Sequence, residues 1–195
     1  CTRLAALLHD VGHGPLSHTT EQVMPAVEEL NVKVYQGKIK NRRANHEDYT
    51  ILFVTEGIIA QTIQEQFPDL SPIHVACLID KELYCPDDFF VDNGVDYRPL
   101  LSQLVSSELD ADRMDYLERD SYFCGTNYGK VDLGWLIQNI TLHIQDQKAY
   151  MALNRRALYS FDDFLISRHH MHLMVYFHHK SIIYEEMLNR YLTSA

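Results

Sequence analysis

The chain has 195 residues, 46% of them hydrophobic, and a net charge of −10. That is enough apolar material for a real core and too much for a disordered chain. The acidic balance argues against broad, non-specific nucleic-acid binding, although a local basic patch still binds phosphate.

The cysteines Cys1, Cys77, Cys85 and Cys124 form no CxxC pair. They read as scattered reduced thiols of a cytoplasmic protein, with no zinc spacing. No apolar run approaches the roughly 18 residues needed to cross a bilayer, and there is no signal-peptide pattern. The first methionine is Met24, and both ends lie inside helical sequence. The chain is therefore expected to be a fragment of a longer protein.

In chain order, Leu4, Leu7 and Leu8 recur at i, i+3 and i+4, which predicts a helix with a buried face. Gly12, Gly14 and Pro15 end it. Ser17 is expected to cap a following helix, with Glu21 near its positive end. Residues 33–43 carry Lys33, Lys38, Lys40, Arg42 and Arg43 and read as a loop, either solvated or a site for an effector phosphate or nucleic acid. Helices are expected over 45–63 and 71–81, an irregular segment over 85–98, and a helix over 100–119. Residues 140–153 hold two β-compatible runs around Asp146-Gln147 and predict a small hairpin. Residues 159–191 form one long helix or two, dense in His and aromatics. The fold class is therefore all-α, with one small β-hairpin near 140–153.

The segment LLHDVGHGPLSH sets His9 beside Asp10. Neighbours on a helix point about 100° apart and do not converge unless the backbone bends at a helix end. Gly12 supplies that end. One imidazole and one carboxylate make a borderline site that suits Mn, Fe, Zn, Ni or Co, and Mg less well. A bare His-Asp dipeptide is more often a buried His beside a helix-ending Asp, so the surroundings matter. A second cluster, SSELDADRMDYLERD, holds Asp110, Asp112, Asp115 and Asp120. Asp112, Tyr116 and Asp120 share one helical stripe, Arg113 borders it, and Leu109, Met114 and Leu117 read as core. Carboxylate, arginine and phenol suit a metal, a phosphate and a sugar in turn. The competing reading is a solvated, salt-bridged helix face.

Together these residues resemble the HD-domain metal hydrolases, and among them the deoxynucleoside triphosphate triphosphohydrolases, the dGTPase-like enzymes. HDVGHGPLSH matches the central pair of the family signature H…HD…D, and LDADRMDYLERD supplies the final Asp as Asp112. NHE matches the downstream His-Glu as His46. RHHMHLMVYFHHK is similar to the substrate-facing R…H…Y…H pattern. The first signature His lies upstream of the HD pair in the family and has no counterpart in this chain.

The resemblance implies an HD-domain helical bundle and a divalent metal ion held by His9, Asp10 and Asp112. It implies that His13 contacts phosphate, His18 is the general acid, Glu21 orients His18, and His46 adds a donor to the α-phosphate. Arg113 would hold the triphosphate, and Tyr116 and Asp120 the sugar edge, with Tyr116 excluding a 2′-hydroxyl. Arg168, His172, Tyr176 and His178 would line the phosphate and base side. The implied reaction converts a dNTP to deoxynucleoside and inorganic triphosphate. The implied partners are a nucleotide substrate, a nucleotide effector and further copies in a homo-oligomer; hydropathy gives no membrane partner, and the acidic balance argues against nucleic acid. A phosphomonoesterase or phosphodiesterase of the wider superfamily, and a non-catalytic nucleotide-sensing module, are the alternatives.

Overall fold

The computed structural model describes residues 1–35 and 41–194, so Lys38 and Lys40 of the basic stretch lie outside the described residues. The chain divides into two compact units, Cys1–Phe89 with Glu185–Ala195, and Phe90–Tyr184.

The first unit contains helices α1 (Thr2–Leu8), α2 (His46–Thr55), α3 (Gly57–Gln66) and α4 (Pro72–Ile79). Helix α1 packs on α4, and α2 packs on both α3 and α4. Ala5, Ile51, Val54, Val75, Ala76 and Leu78 are fully buried between them. The expected leucine face of α1 needs correction, because Leu7 is 77% exposed. The buried stripe runs through the small Ala5, and Leu7, two residues on, falls on the opposite side of the helix. Ser17 does not cap an α-helix either. It opens a 3-10 segment, Ser17–Val23, whose N-cap is Leu16 in the left-handed region (φ 65°).

Helix α2 starts sharply because of a reciprocal capping box. The Asn45 side chain accepts the Asp48 N–H at 3.1 Å, and the Asp48 carboxylate accepts the Asn45 N–H at 2.9 Å. Asp48 is fully buried and also takes two bonds from the Arg42 guanidinium, at 2.6 and 2.9 Å. Burial, with Asp48 alongside, pushes the Tyr35 hydroxyl far above its usual range. Arg42 therefore serves the cap of α2, and Lys33 pairs with Glu56 at 3.1 Å. The single helix expected over 45–63 is two helices. Glu56 adopts an extended backbone and Gly57 a positive φ of 79°, which halts α2 and starts α3.

The second unit holds β1 (Val91–Asp92), β2 (Val95–Asp96), α5 (Arg98–Val105), α6 (Ala111–Phe123), α7 (Leu133–Gln138), β3 (Ile140–Gln145), β4 (Lys148–Leu153) and α8 (Leu158–Met171). A π-helical turn, His172–Tyr176, follows α8, and α9 (His179–Ser194) closes the chain order. The hairpin forms as expected. Its register runs from Ile140↔Leu153 to Gln145↔Lys148, and Asp146 and Gln147 both take positive φ, as a two-residue type I′ turn requires. The segment expected to be irregular contains a second small hairpin, β1–β2, turned at Asn93-Gly94 and joined to β4 by a parallel bridge, Asp96↔Lys148. Two-residue strands carry too little periodicity to be read from sequence.

The helix expected over 100–119 is also divided. Asp110, buried, accepts the N–H groups of Arg113 (2.7 Å) and Ser107 (2.9 Å) and becomes the N-cap of α6. Leu109, Leu117, Leu136, Ala157, Phe164 and Met171 form the core of this unit. Leu109 and Leu117 are thus core residues, as read from the sequence.

Candidate metal and phosphate site

The His9–Asp10 pair sits just past the end of α1, where the chain turns. His9 Nδ1 lies 2.9 Å from the Ala6 carbonyl oxygen. A carbonyl only accepts, so Nδ1 carries the proton and Nε2 carries the lone pair. That Nε2 lies 3.5 Å from Asp10 Oδ1. Two ligand atoms each about 2.1 Å from one ion stand near this separation. Metal-binding histidines characteristically donate their second nitrogen to a carbonyl in this way. The pair therefore fits a divalent ion.

Gly12 does more than end α1. A Cβ there would stand 2.2 Å from the His46 carbonyl oxygen and 2.4 Å from the Thr50 nitrogen. The turn is pressed backbone to backbone on the first turn of α2, which delivers His46 to it. His13 stacks on His46 with ring centres 3.8 Å apart, and His18 meets both rings edge-on at 5.0 and 5.1 Å. Glu21 ties the group together. Its Oε1 bonds His46 Nδ1 and lies 3.2 Å from His18 Nδ1. It also accepts the His46 backbone N–H at 3.3 Å. An ionised carboxylate only accepts, so both rings carry their proton on Nδ1 and present Nε2 as the open position. Four potential ligand or proton-transfer groups, His13, His18, Glu21 and His46, thus lie together.

The electrostatics follow from this crowding. Burial first, then the neighbouring His46, lowers the His13 pKa below the ordinary imidazole value, against an opposing pull from Asp10, 3.6 Å away. Burial would raise the Glu21 pKa, but the hydrogen bonds from His46 and His18 outweigh it and hold the carboxyl below its usual range.

In the second unit, Asp112 lies in the first turn of α6, with Tyr116 and Asp120 further along the same stripe. The Tyr176 hydroxyl donates to Asp120 at 2.8 Å, and its ring meets Tyr116 and His172 edge-on at 6.0 and 5.1 Å. Tyr116, Asp120, His172 and Tyr176 are therefore brought together. Burial raises the pKa of Tyr116, opposed by Arg168 and Arg113, and burial with the bond to Asp120 raises that of Tyr176 well above the usual phenol range. Both phenols stay neutral donors at working pH.

The two arginines are engaged locally. Arg113 donates to Asp110 and to the Ser107 carbonyl, and Arg168 pairs with Glu108 at 2.5 Å. The bond to Arg168 holds the Glu108 carboxyl below its usual range. His178 stands at the start of α9, where its ring meets the His179 ring at 4.3 Å and accepts the Lys180 N–H.

Two residues of these clusters are not evident in the sequence. Glu108 precedes the acidic helix and has no motif to mark it. Thr50 joins the turn to α2, and its one signal is its place a single helical turn after His46. A third cluster, His74, Cys85 and Asp87, has ligand-like spacing. However, His74 Nδ1 accepts the Ser71 N–H at 3.1 Å, so its Nε2 carries the proton and donates to Asp87 at 3.0 Å. That arrangement is a hydrogen-bonded clasp on α4.

Residues 131–195 match the family model of the HD associated region. The chain is 35% identical to the uncharacterized MG461 homolog of Mycoplasma pneumoniae, over 92% of this chain and 37% of that protein. It is 26% identical to a deoxynucleoside triphosphate triphosphohydrolase, the SAMHD1 homolog of Dictyostelium discoideum, over 99% of this chain and 33% of that one. Among solved structures, a phosphohydrolase from Bacteroides thetaiotaomicron is 29% identical with a TM-score of 0.63, over 96% of this chain and 37% of that chain. The chain thus spans about a third of the length of these three proteins. With the helix order and the hairpin already described, these likenesses identify the fold as that of the HD-domain phosphohydrolases, a helical bundle with one small sheet.

Proposed function

We propose that the full-length protein is a metal-dependent phosphohydrolase that converts deoxynucleoside triphosphates to deoxynucleoside and inorganic triphosphate. The observation that carries the reading is the trio His13, His18 and His46, gathered around one Glu21 oxygen beside the His9–Asp10 pair. The Bacteroides phosphohydrolase and the Dictyostelium triphosphohydrolase support the reaction class and the substrate class respectively.

On the family resemblance, His9, Asp10 and Asp112 hold the divalent ion, which when bound supplies a Lewis acid and acidifies water. The chain's own groups do the rest. His18, with its Nδ1–H on Glu21, can hold a proton at Nε2 and give it to the departing 5′-oxygen. His46, oriented by the same carboxylate, donates to a phosphoryl oxygen through Nε2–H in its doubly protonated form. His13, kept neutral by burial and by His46, bonds phosphate without competing for that proton. Arg113 and Arg168 exchange their local carboxylate partners for the triphosphate. Tyr116 and Asp120 take the sugar edge, and His172, Tyr176 and His178 take the base side. On the same resemblance, the ring of Tyr116 packs beneath the sugar, excludes a 2′-hydroxyl and so selects deoxy substrates. The protein acts as a homo-oligomer with a nucleotide effector, again on the family resemblance.

The test is a panel of dNTPs and NTPs with the full-length protein, resolving triphosphate from pyrophosphate and orthophosphate, with metal content measured alongside. Triphosphate released from dNTPs is the expected result. Orthophosphate or pyrophosphate as the first product would point to the phosphomonoesterase or phosphodiesterase reaction and overturn this one. No turnover with tight nucleotide binding would indicate a sensing module.

A further inference from the structure

We infer that Thr50 is a positioning residue for the His9–Asp10 pair, an inference that rests on reading this pair as metal-binding. Thr50 lies on α2 one turn after His46 and is fully buried. Its hydroxyl donates to the His9 carbonyl at 2.9 Å and accepts the Gly12 N–H at 3.0 Å. One hydroxyl has one proton and two lone pairs, so it makes both bonds at once in fixed directions. The two bonded groups bracket Asp10, one before it and one after it.

The surroundings leave this clamp little slack. The backbone of the turn lies so close to α2 that no Cβ fits at Gly12, where one would also stand 2.8 Å from the Thr50 hydroxyl oxygen. Between two backbones at that distance, the Thr50 hydroxyl sets the register of the turn on the helix. The same helix carries His46, so the clamp fixes the metal pair relative to the His13–His46 stack. Thr50 touches neither the ion nor the substrate and acts through the orientation of His9 and Asp10.

The test compares the full-length wild type with Thr50→Val, Thr50→Ser and Thr50→Cys. Valine keeps the shape and removes the hydroxyl, which strips the buried Gly12 N–H of its acceptor. Serine keeps the hydroxyl. Mn²⁺ affinity is measured by calorimetry on metal-stripped protein, and thermal unfolding is recorded for the same metal-free samples. Thr50→Val is expected to weaken Mn²⁺ binding by ~10–100-fold, the usual cost of losing a group that orients a ligand, and Thr50→Ser to restore it. A purely structural role would lower the melting point of the metal-free protein and leave the affinity of the folded fraction unchanged. Wild-type affinity in folded Thr50→Val overturns the inference. If that variant does not fold, Thr50→Cys, similar in size but a weak hydrogen-bonding group, gives the answer, and wild-type affinity there overturns it equally. Wild-type protein that binds no Mn²⁺ would instead overturn the reading of His9 and Asp10 themselves.

Discussion

Gly12→Ala adds one methyl group where two backbones meet. The new Cβ would lie 2.2 Å from the His46 carbonyl oxygen, and Cβ contacts below 3.0 Å essentially do not occur. The turn and α2 must therefore part by close to 1 Å, and neither neighbour is a flexible side-chain tip that can swing aside. Overpacking of this kind costs ~1–3 kcal/mol. The displacement also stretches the Gly12–Thr50 and Thr50–His9 hydrogen bonds, each worth ~0.5–1.5 kcal/mol. The sum is on the order of 2–6 kcal/mol, which at ~2–4 °C per kcal/mol for a chain of this size lowers Tm by roughly 5–20 °C. Because the same movement carries His46 away from His13, turnover should fall on the order of 100-fold even where the protein is folded. The control is Gly94→Ala, which has a positive φ of 78° but open space around its Cβ position. It should cost only the ~1–2 kcal/mol of a left-handed alanine. Thermal unfolding followed by circular dichroism reads both variants. A Gly12→Ala melting point no lower than that of Gly94→Ala would refute the close approach and with it the account of how His46 is delivered.

Asp48→Ala should destabilise the protein by ~3 kcal/mol, the low end for breaking a buried pair because Arg42 is half-exposed and regains water. Urea titration checks this, and a loss below ~1 kcal/mol would show that the Asp48 network contributes little. Asp112→Ala and His9→Ala in the full-length protein should each abolish metal retention after purification. Full occupancy in either refutes that ligand. Glu21→Gln should alter the acid limb of the stability profile. The folded pKa of Glu21 lies below its ordinary 4.5, so the unfolded state binds the proton more readily. Its stabilising effect is thus present above 4.5 and lost as the pH falls through the folded value. The gap in stability between wild type and Glu21→Gln should be open at pH 6 and narrow below pH 4.5. A gap that stays constant across that range would mean the carboxylate charge is not what binds His18 and His46.

Sequence alone determined whatever is local in the chain. The turn at Asp146-Gln147 between two β-compatible runs makes a hairpin wherever it is placed, because both residues and both strands are neighbours. The end of α1 at the HD pair, the helical stripe Asp112–Tyr116–Asp120 and the core positions Leu109 and Leu117 are legible for the same reason. The interruptions are not. Glu56-Gly57 and Asp110 divide helices whose apolar spacing continues across the break, since periodicity records which side chains face inward but not where the backbone bends.

Only the tertiary structure decided the partners. Glu21, expected to sit near the positive end of a helix and orient His18, bonds His46 as well, 25 residues away in sequence. Gly12, which reads as a helix breaker, is a glycine because α2 lies against it. Thr50 has no mark in the sequence beyond its place one helical turn after His46, and Leu7 is exposed because a two-turn helix buried Ala5 instead. Backbone bonds within a few residues are dictated by local torsions and caps, whereas a hydroxyl meeting a carbonyl 41 residues away depends on how whole helices pack.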